Sequence, residues 1–281
     1  MAKTPKITTP SPFPVTLPGL VVTACEESAV GKTTFATVLA DVLTLAGHPF
    51  VAFQSDTKPR LREMLGSIVT DLRPDPDRLL NEPALLRTAF TPLHTAYLQI
   101  ARTGATVEFD TGAKDIPNIA NFLIDVEFDA DLREHGYPML IFIVVQADPE
   151  AIEVAAMTWR ALRQAVPSAH LVLVENAFDR GTIAGMKPTS PARRKYEAEL
   201  QPLVDSAPHL VMPAMVTEFW QPFEETGTRF IRVMAMSAAE GAERFGMEVG
   251  DFKIARGNIT RFFQAVQSEL ARVIVLPEGG R

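Results

Sequence analysis

Cysteine is almost absent from this chain, since Cys25 is the only one in 281 residues. A disulfide within the chain is therefore impossible, which excludes the disulfide-stabilised class of secreted proteins and fits a reducing cytoplasm. Long apolar runs are missing as well, because none reaches the roughly 18 residues that a membrane-spanning helix needs. The start of the chain also lacks the apolar segment of a secretion signal. We therefore predict a cytoplasmic protein that does not enter a membrane.

Positive charge is also in short supply, with 27 Lys and Arg against 34 Asp and Glu and a net charge of −7. This balance argues against a uniformly basic surface for nucleic acid, but not against a local basic patch. Prolines at 5, 10, 12, 14 and 18 predict an extended or disordered arm over residues 1–19. The length suffices for one large α/β domain. We place this domain at residues 20–276, with a short tail at 277–281.

The stretch that leads into Gly31 combines three features in order. An apolar run at Leu20–Ala24 predicts a strand, a loop of small residues follows, and apolar residues after Thr34 recur at helical spacing up to Leu45. A strand, a loop that ends in Gly-Lys-Thr-Thr and a helix predict a phosphate-binding loop. The first N–H groups of a helix have no partner within the helix, and the helix dipole adds positive charge there. A polyphosphate at the N-terminal end of the helix accepts hydrogen bonds from these N–H groups and is attracted by the positive charge.

The residues of this loop suit different parts of a bound nucleotide. Gly31 lets the backbone approach the phosphate, Lys32 can reach the β and γ oxygens, and Thr33 carries the hydroxyl expected on magnesium. Glu26 stands where the usual pattern has its first glycine, and Glu27 follows it. Unless these two carboxylates point away or help to hold the metal, we expect them to weaken nucleotide binding.

Strand and helix patterns alternate along the rest of the chain, which predicts a doubly wound α/β fold with a mostly parallel sheet and helices on both faces. Met139–Val145 is a continuous apolar run, as expected for a central parallel strand. Further strands are predicted at 50–55, 105–109 and 170–175, and helices at 148–165 and 251–274. We expect two helices or one kinked helix over 74–103 and a single helix over 118–132.

Two aspartates follow predicted strands at the edge where open parallel sheets bind their ligands. Asp56 comes after the strand at 50–55, where a carboxylate could orient water, reach magnesium or simply cap the next turn. Asp110 comes after the strand at 105–109 and is the better candidate to support magnesium. Gly112 gives the loop behind it freedom to respond to a γ-phosphate.

Together these features resemble the ParA/MinD-type ATPases, the deviant-Walker group of P-loop proteins that position plasmids, chromosomes and other cargo. The resemblance covers roughly residues 20–240 and rests on stretches that match in order: GKTT at 31–34, Asp56, Asp110-Thr111, Asn176 and Val211-Met212-Pro213. It implies nucleotide contacts from Val30, Gly31, Lys32, Thr33, Thr34, Asn176 and Pro213.

The resemblance also assigns roles to individual residues. Lys32 would bind phosphates, Thr34 would touch the α-phosphate, and Asn176 would read the adenine edge through its amide. Thr33, Asp110 and Asp56 would serve magnesium, with Asp56 also positioning the attacking water. ATP and Mg²⁺ are thus the implied cofactors, and the implied behaviour is an ATP-dependent homodimer with slow hydrolysis. The partners implied are DNA, bound non-specifically, and an adaptor protein, in a role such as plasmid partition.

One departure from the family pattern bears on dimerisation. The family loop usually begins with a lysine that reaches the partner's nucleotide, and Glu27 takes its place here. We consider Lys114, Lys58 and Arg60 as cations that could replace it.

Two other classes of function remain open. A metabolic P-loop enzyme, such as a synthetase or a small-molecule kinase, would need a substrate pocket facing the γ-phosphate. An adaptor would result if Glu26 and Glu27 had abolished nucleotide binding. The basic residues Lys253, Arg256 and Arg261 of the C-terminal helix are equally consistent with DNA binding and with an ordinary solvated face.

Overall fold

The computed structural model describes residues 13–82, 84–178 and 181–276. Most of the predicted arm (residues 1–12) and the predicted tail (277–281) lie outside these ranges. The strands are β1 Val15–Thr16, β2 Leu20–Ala24, β3 Phe50–Gln54, β4 Val69–Asp71, β5 Thr106–Asp110, β6 Met139–Gln146, β7 His170–Asn176, β8 His209–Met212 and β9 Ile274–Val275.

Helices account for most of the remaining described chain. They are α1 Lys32–Leu45, α2 Arg60–Leu65, α3 Pro76–Leu79, α4 Leu85–Thr88, α5 Thr91–Leu98, α6 Ile100–Thr103, α7 Ile116–Asp125, α8 Phe128–His135, α9 Pro149–Ala165, α10 Pro191–Lys195, α11 Gln201–Val204, α12 Thr217–Glu225, α13 Phe230–Ala235, α14 Ala238–Phe245 and α15 Val249–Leu270. None of the described helices has the length and apolarity needed to cross a bilayer.

Seven strands form one parallel sheet in the order β4-β3-β5-β2-β6-β7-β8. The interior strand β6 is the apolar run predicted from the sequence, and seven of its eight residues are buried. The phosphate-binding loop leaves β2, which lies between β5 and β6. The doubly wound, mostly parallel fold predicted from the sequence is confirmed.

Strand β5 shows that both faces of the sheet are covered. Phe109 packs against Phe90 at 6.0 Å between ring centroids, and Phe90 in turn packs against Phe122 of α7. Asp110, the next residue, points to the opposite face and bonds to Thr33 of α1. Successive side chains of a strand alternate in this way, so one strand contributes both to the core and to the site.

Two helical predictions need correction. The stretch 74–103 contains four short helices, α3 to α6, where one or two were expected. The single helix predicted over 118–132 is divided into α7 and α8 by Glu127, which has a φ of 53°. This break turns Phe128 inward, where it is fully buried and packs on Tyr97 at 4.8 Å. Burial of a large aromatic ring outweighs helix continuity here.

The C-terminal helix is also shorter than predicted, since α15 ends at Leu270 and Ile274 belongs to β9. Strand β9 pairs in parallel with β1, with Val15 opposite Ile274. Residues 13–19 of the predicted arm thus include an extended stretch fixed to the end of the domain. Helices α12, α13 and α14 pack on α15 and had no counterpart in the sequence analysis.

Candidate nucleotide-binding site

A cleft of about 350 Å³ opens at the carboxyl edge of the sheet. Open parallel sheets bind ligands at this edge, where loops from neighbouring strands meet. The cleft is lined by residues of the phosphate-binding loop and by the ends of several strands. From the predicted site it includes Gly31, Lys32, Thr33, Thr34, Asp56, Asn176 and Pro213. Val30 and Asp110 do not line it and lie behind the loop, at 1% exposure each.

The loop geometry depends on Gly31, whose φ of 99° lies in the left-handed region. A Cβ at this position would lie 2.5 Å from Asn176 Nδ2 and 2.9 Å from Met212 Cε. Only glycine therefore fits between the loop and β7. Ala29 also has a positive φ, of 56°, which is uncommon for a residue with a Cβ.

Lys32 begins helix α1 and is 4% exposed. Its Nζ donates a hydrogen bond of 2.7 Å to the carbonyl oxygen of Glu27. The ammonium group is thus folded back over its own loop, at the helix end where unpaired N–H groups accept anions.

Thr33 and Asp110 lie together, as the magnesium prediction requires. Thr33 Oγ1 donates to Asp110 Oδ2 at 2.7 Å, and Thr23 Oγ1 donates to Asp110 Oδ1 at 3.0 Å. Burial raises the pKa of Asp110 to about 6, while the bond from Thr33, the charge of Lys32 and the bond from Thr23 oppose the rise. One hydroxyl and one carboxylate at the phosphate end suit Mg²⁺, which is held by few protein ligands together with phosphates and water.

Asp56 lines the same cleft but forms no hydrogen bond with Thr33 or Asp110. Its Oδ1 accepts from the backbone N–H of Lys58 at 3.0 Å and from Thr57 Oγ1 at 3.3 Å. The carboxylate therefore caps the turn after β3. Within the described residues no three His, Cys, Asp or Glu side chains cluster as a metal site.

Comparison with known proteins adds to this geometry. No protein-family model matches the chain, and no curated protein matches it. Among solved structures, MinD of Pyrococcus horikoshii with Mg-ADP is 12% identical, with a TM-score of 0.50 over 90% of this chain and 96% of that one. The chain has the fold of ParA/MinD-type P-loop ATPases.

Two further solved structures are similar at lower scores. Apo McdA of Cyanothece is 12% identical, with a TM-score of 0.47 over 90% of this chain and 99% of that one. The MinD chain of a MinC:MinD complex from Aquifex aeolicus is 12% identical, with a TM-score of 0.47 over 93% and 100%.

In this ParA/MinD-type fold Asn176, predicted to read the base, lies in the cleft directly beside Gly31. Its Nδ2 donates to Val30 O at 2.9 Å and its Oδ1 accepts from Phe178 N at 3.0 Å. The amide thus ties the phosphate-binding loop to the end of β7 and keeps one N–H for a ligand. Phe178 lines the cleft and is 37% exposed, so its ring is free to cover a base.

Glu26 and Glu27, expected to weaken nucleotide binding, form different hydrogen bonds. Glu27 Oε1 accepts from the backbone N–H of Ser28 at 3.0 Å, which keeps this carboxylate on the loop itself. Glu26 bonds through its backbone, with its N–H on Thr158 Oγ1 at 3.3 Å and its carbonyl accepting from Lys114 N at 3.2 Å.

Three polar residues near the site were missed by the sequence analysis. Thr23 holds Asp110, Ser55 Oγ accepts from Gly112 N at 2.9 Å, and Gln146 Nε2 donates to Ala29 O at 3.3 Å. A usable signal exists for all three, because each is a polar residue inside or just after a predicted buried strand. Such groups need a partner when buried.

Proposed function

We propose that this protein is an Mg-ATP-binding ATPase that acts as a nucleotide-dependent switch in the positioning or segregation of intracellular cargo such as DNA. The observation that carries the proposal is the 2.7 Å contact between Thr33 and Asp110 beside Lys32, at the start of α1. The MinD structure of similar fold is described as a septum site-determining protein with Mg-ADP, which supports both the ligand and a positioning role.

Each of these residues has a distinct task in the proposed reaction. Lys32 would exchange its bond to Glu27 O for phosphate oxygens. Thr33 and Asp110 would hold Mg²⁺, which would supply neutralisation of phosphate charge. Asp56 lines the same cleft, where it can orient a water molecule for attack. Catalysis consists of positioning and charge neutralisation, and no covalent protein intermediate forms. Slow hydrolysis is part of the proposal because the resemblance to the ParA/MinD-type ATPases implies it.

The loops after β3 and β5 form the switch in this proposal. Gly112 N donates to Ser55 Oγ, and a Cβ on Gly112 would lie 2.7 Å from Ser55 O, so the two loops touch directly. A γ-phosphate that moves one loop must therefore move the other. We propose that the ordered loops favour an ATP-dependent homodimer or a partner-bound state, which hydrolysis releases.

Calorimetric titration with Mg-ATP, combined with light scattering, tests this function. We expect micromolar binding and a doubled mass with ATP in the wild type. Lys32→Ala should abolish binding because its ammonium is the buried cation of the loop. Lys187→Ala, which removes an exposed lysine that does not line the cleft, is the matched control. Absence of wild-type binding would contradict the ATPase function and favour an adaptor.

A second candidate rests on the lining of the cleft. Besides the loop residues, the lining includes the apolar side chains of Met64, Trp220 and Phe262. An apolar part of this kind suits a small-molecule acceptor, as a metabolic kinase or synthetase would require. Binding of Mg-ATP without any change in mass, together with phosphoryl transfer to a small acceptor, would favour this function over the switch.

DNA binding forms part of the proposal and is tested separately. Lys253 and Arg261 are exposed on α15, whereas Arg256 is partly occupied by a bond from its Nη1 to Met236 O at 2.5 Å. We expect the double variant Lys253→Ala/Arg261→Ala to weaken binding to random-sequence duplex DNA and to reduce the salt dependence of binding. If the variant and the wild type bound DNA with equal affinity, this face of α15 would be excluded as the DNA-binding surface.

A further inference from the structure

The cleft is short of positive charge for a triphosphate. Glu26, Glu27, Asp56 and Asp110 all lie in or beside the loops that surround it. Lys32 is the buried cation, and a triphosphate brings more negative charge than one ammonium and one Mg²⁺ neutralise. Phosphate sites of this type use further cations on the terminal phosphate. The structure therefore needs another positive group near the γ position.

Three cations lie on the neighbouring loops, and the structure separates them. Lys114 is exposed and does not line the cleft. Arg60 lines the cleft, but its Nη1 is paired with Glu224 Oε1 at 3.1 Å. Lys58 also lines the cleft, and its Nζ has no hydrogen bond or ion pair with any residue in the described ranges. Lys58 is thus the uncommitted cation on this rim.

The backbone that carries Lys58 is anchored. Its N–H bonds to Asp56 Oδ1 at 3.0 Å, and the carbonyl of Thr57 accepts from Arg73 Nη1 at 2.7 Å. Arg73 is itself fixed by its ion pair with Asp71. A flexible lysine side chain therefore extends from a fixed point two residues beyond Asp56, and both residues line the cleft.

We propose that Lys58 contacts the terminal phosphate of a bound nucleoside triphosphate from within the same chain and so distinguishes triphosphate from diphosphate. This inference rests on the proposed function, because it concerns the same nucleotide. It has a consequence of its own: the preference for ATP over ADP is a property of the single chain and does not require a second copy.

The test is calorimetric titration of Mg-ATP and Mg-ADP into the wild type, Lys58→Ala, Lys58→Arg and Lys114→Ala. We expect Lys58→Ala to weaken ATP binding about tenfold or more, as loss of a hydrogen bond to a charged group does, and to leave ADP binding unchanged. Lys58→Arg should keep most of the preference. Lys114→Ala, which removes the same charge from the adjacent loop, should bind both nucleotides as the wild type does.

Other results would overturn the inference. Unchanged ATP affinity in Lys58→Ala, or an equal loss for ATP and ADP, would remove Lys58 from the terminal phosphate. If Lys114→Ala weakened ATP binding as much as Lys58→Ala does, Lys58 would act only through its positive charge near the cleft and not through a contact with the terminal phosphate. In these cases wild-type binding persists and the proposed function survives. A wild type that binds neither nucleotide would overturn both the proposed function and the role of Lys58. Lys32→Ala serves as the reference for loss of the whole site, because it should abolish binding of ATP and ADP alike, whereas loss of the γ-phosphate contact should weaken ATP binding alone.

Discussion

At the scale of single residues, Gly31 is held by two separate constraints. Its φ of 99° is unfavourable for any residue with a Cβ, and that Cβ would also meet Asn176 and Met212. Gly47 provides a matched comparison, since its φ is 66° and a Cβ there would meet nothing within 4 Å. Comparison of substitutions at Gly31 and Gly47 therefore distinguishes the cost of backbone strain, present at both, from the cost of steric overlap, present only at Gly31.

We expect Gly47→Ala to lower the free energy of unfolding by about 1 kcal/mol, from backbone strain alone. Gly31→Ala should cost about 3 kcal/mol, because overpacking adds to the strain. Urea denaturation of both variants measures the difference. Equal losses would mean that Asn176 and Met212 move aside at little cost.

At the scale of elements, an ion pair between Asp41 of α1 and Arg229, the residue before α13, joins the two helices. Asp41 is fully buried, and its Oδ1 accepts from Arg229 Nε at 2.6 Å, while its Oδ2 accepts from Ile231 N at 3.2 Å. Burial raises the pKa of Asp41, and the charge of Arg229 opposes that rise. Arg229 also donates to Thr44 Oγ1 at 2.8 Å. The helix that carries Lys32 is thus positioned partly by a residue from the C-terminal region.

Arg229→Met should destabilise the protein by about 3–5 kcal/mol, because it leaves the Asp41 carboxylate buried without its cation. Denaturant unfolding measures the loss, and Asp41→Asn together with Asp41→Asn/Arg229→Met completes the double-mutant cycle. The double variant should recover a large part of it, since both charges are then gone. Additive losses in the cycle would show that the two side chains act independently.

The sequence allowed the elements around the site to be predicted, because their patterns are local. The strands predicted from the apolar runs Leu20–Ala24 and Met139–Val145 are β2 and β6 of the structure. The roles assigned to Asp56, Asn176 and the other site residues remain predictions.

What could not be predicted depends on distant contacts. The helix breaks at Glu127 because Phe128 packs against Tyr97. Strand β4 forms because it pairs with β3. The bond from Thr23 to Asp110 joins residues 87 positions apart. Tertiary packing overrides local preference in each of these cases.

At the scale of the whole molecule, a ligand in the cleft connects loops from β2, β3 and β7 and should stabilise the entire domain. A ligand at about 100 times its Kd adds about 2.7 kcal/mol to the free energy of unfolding. We therefore expect thermal unfolding to shift upward with Mg-ATP, and to shift less when EDTA removes the metal. Lys32→Ala should show no shift. An equal shift in this variant would place the nucleotide elsewhere.

The response of the domain to pH should depend partly on His170, which begins β7. The ring is 6% exposed and packs edge-on against Phe13 at 5.4 Å, and its Nδ1 has no hydrogen-bond partner among the described residues. Burial lowers the pKa of His170 below its ordinary value of 6.5, and the charge of nearby Arg163 on α9 lowers it further. The folded state therefore resists protonation of this ring more than the unfolded chain does.

Stability contributed by neutral His170 is present above the unfolded pKa and is lost as the pH falls below about 6.5, because the unfolded state then binds more protons. His170→Gln removes this titration. As the pH falls from about 8 to about 5, we expect the free energy of unfolding of the wild type to decrease relative to that of His170→Gln. Urea unfolding of both proteins in the same buffers measures it. A difference that stays constant over this range would mean that His170 has the same pKa in the folded and unfolded states, in conflict with its burial beside Arg163.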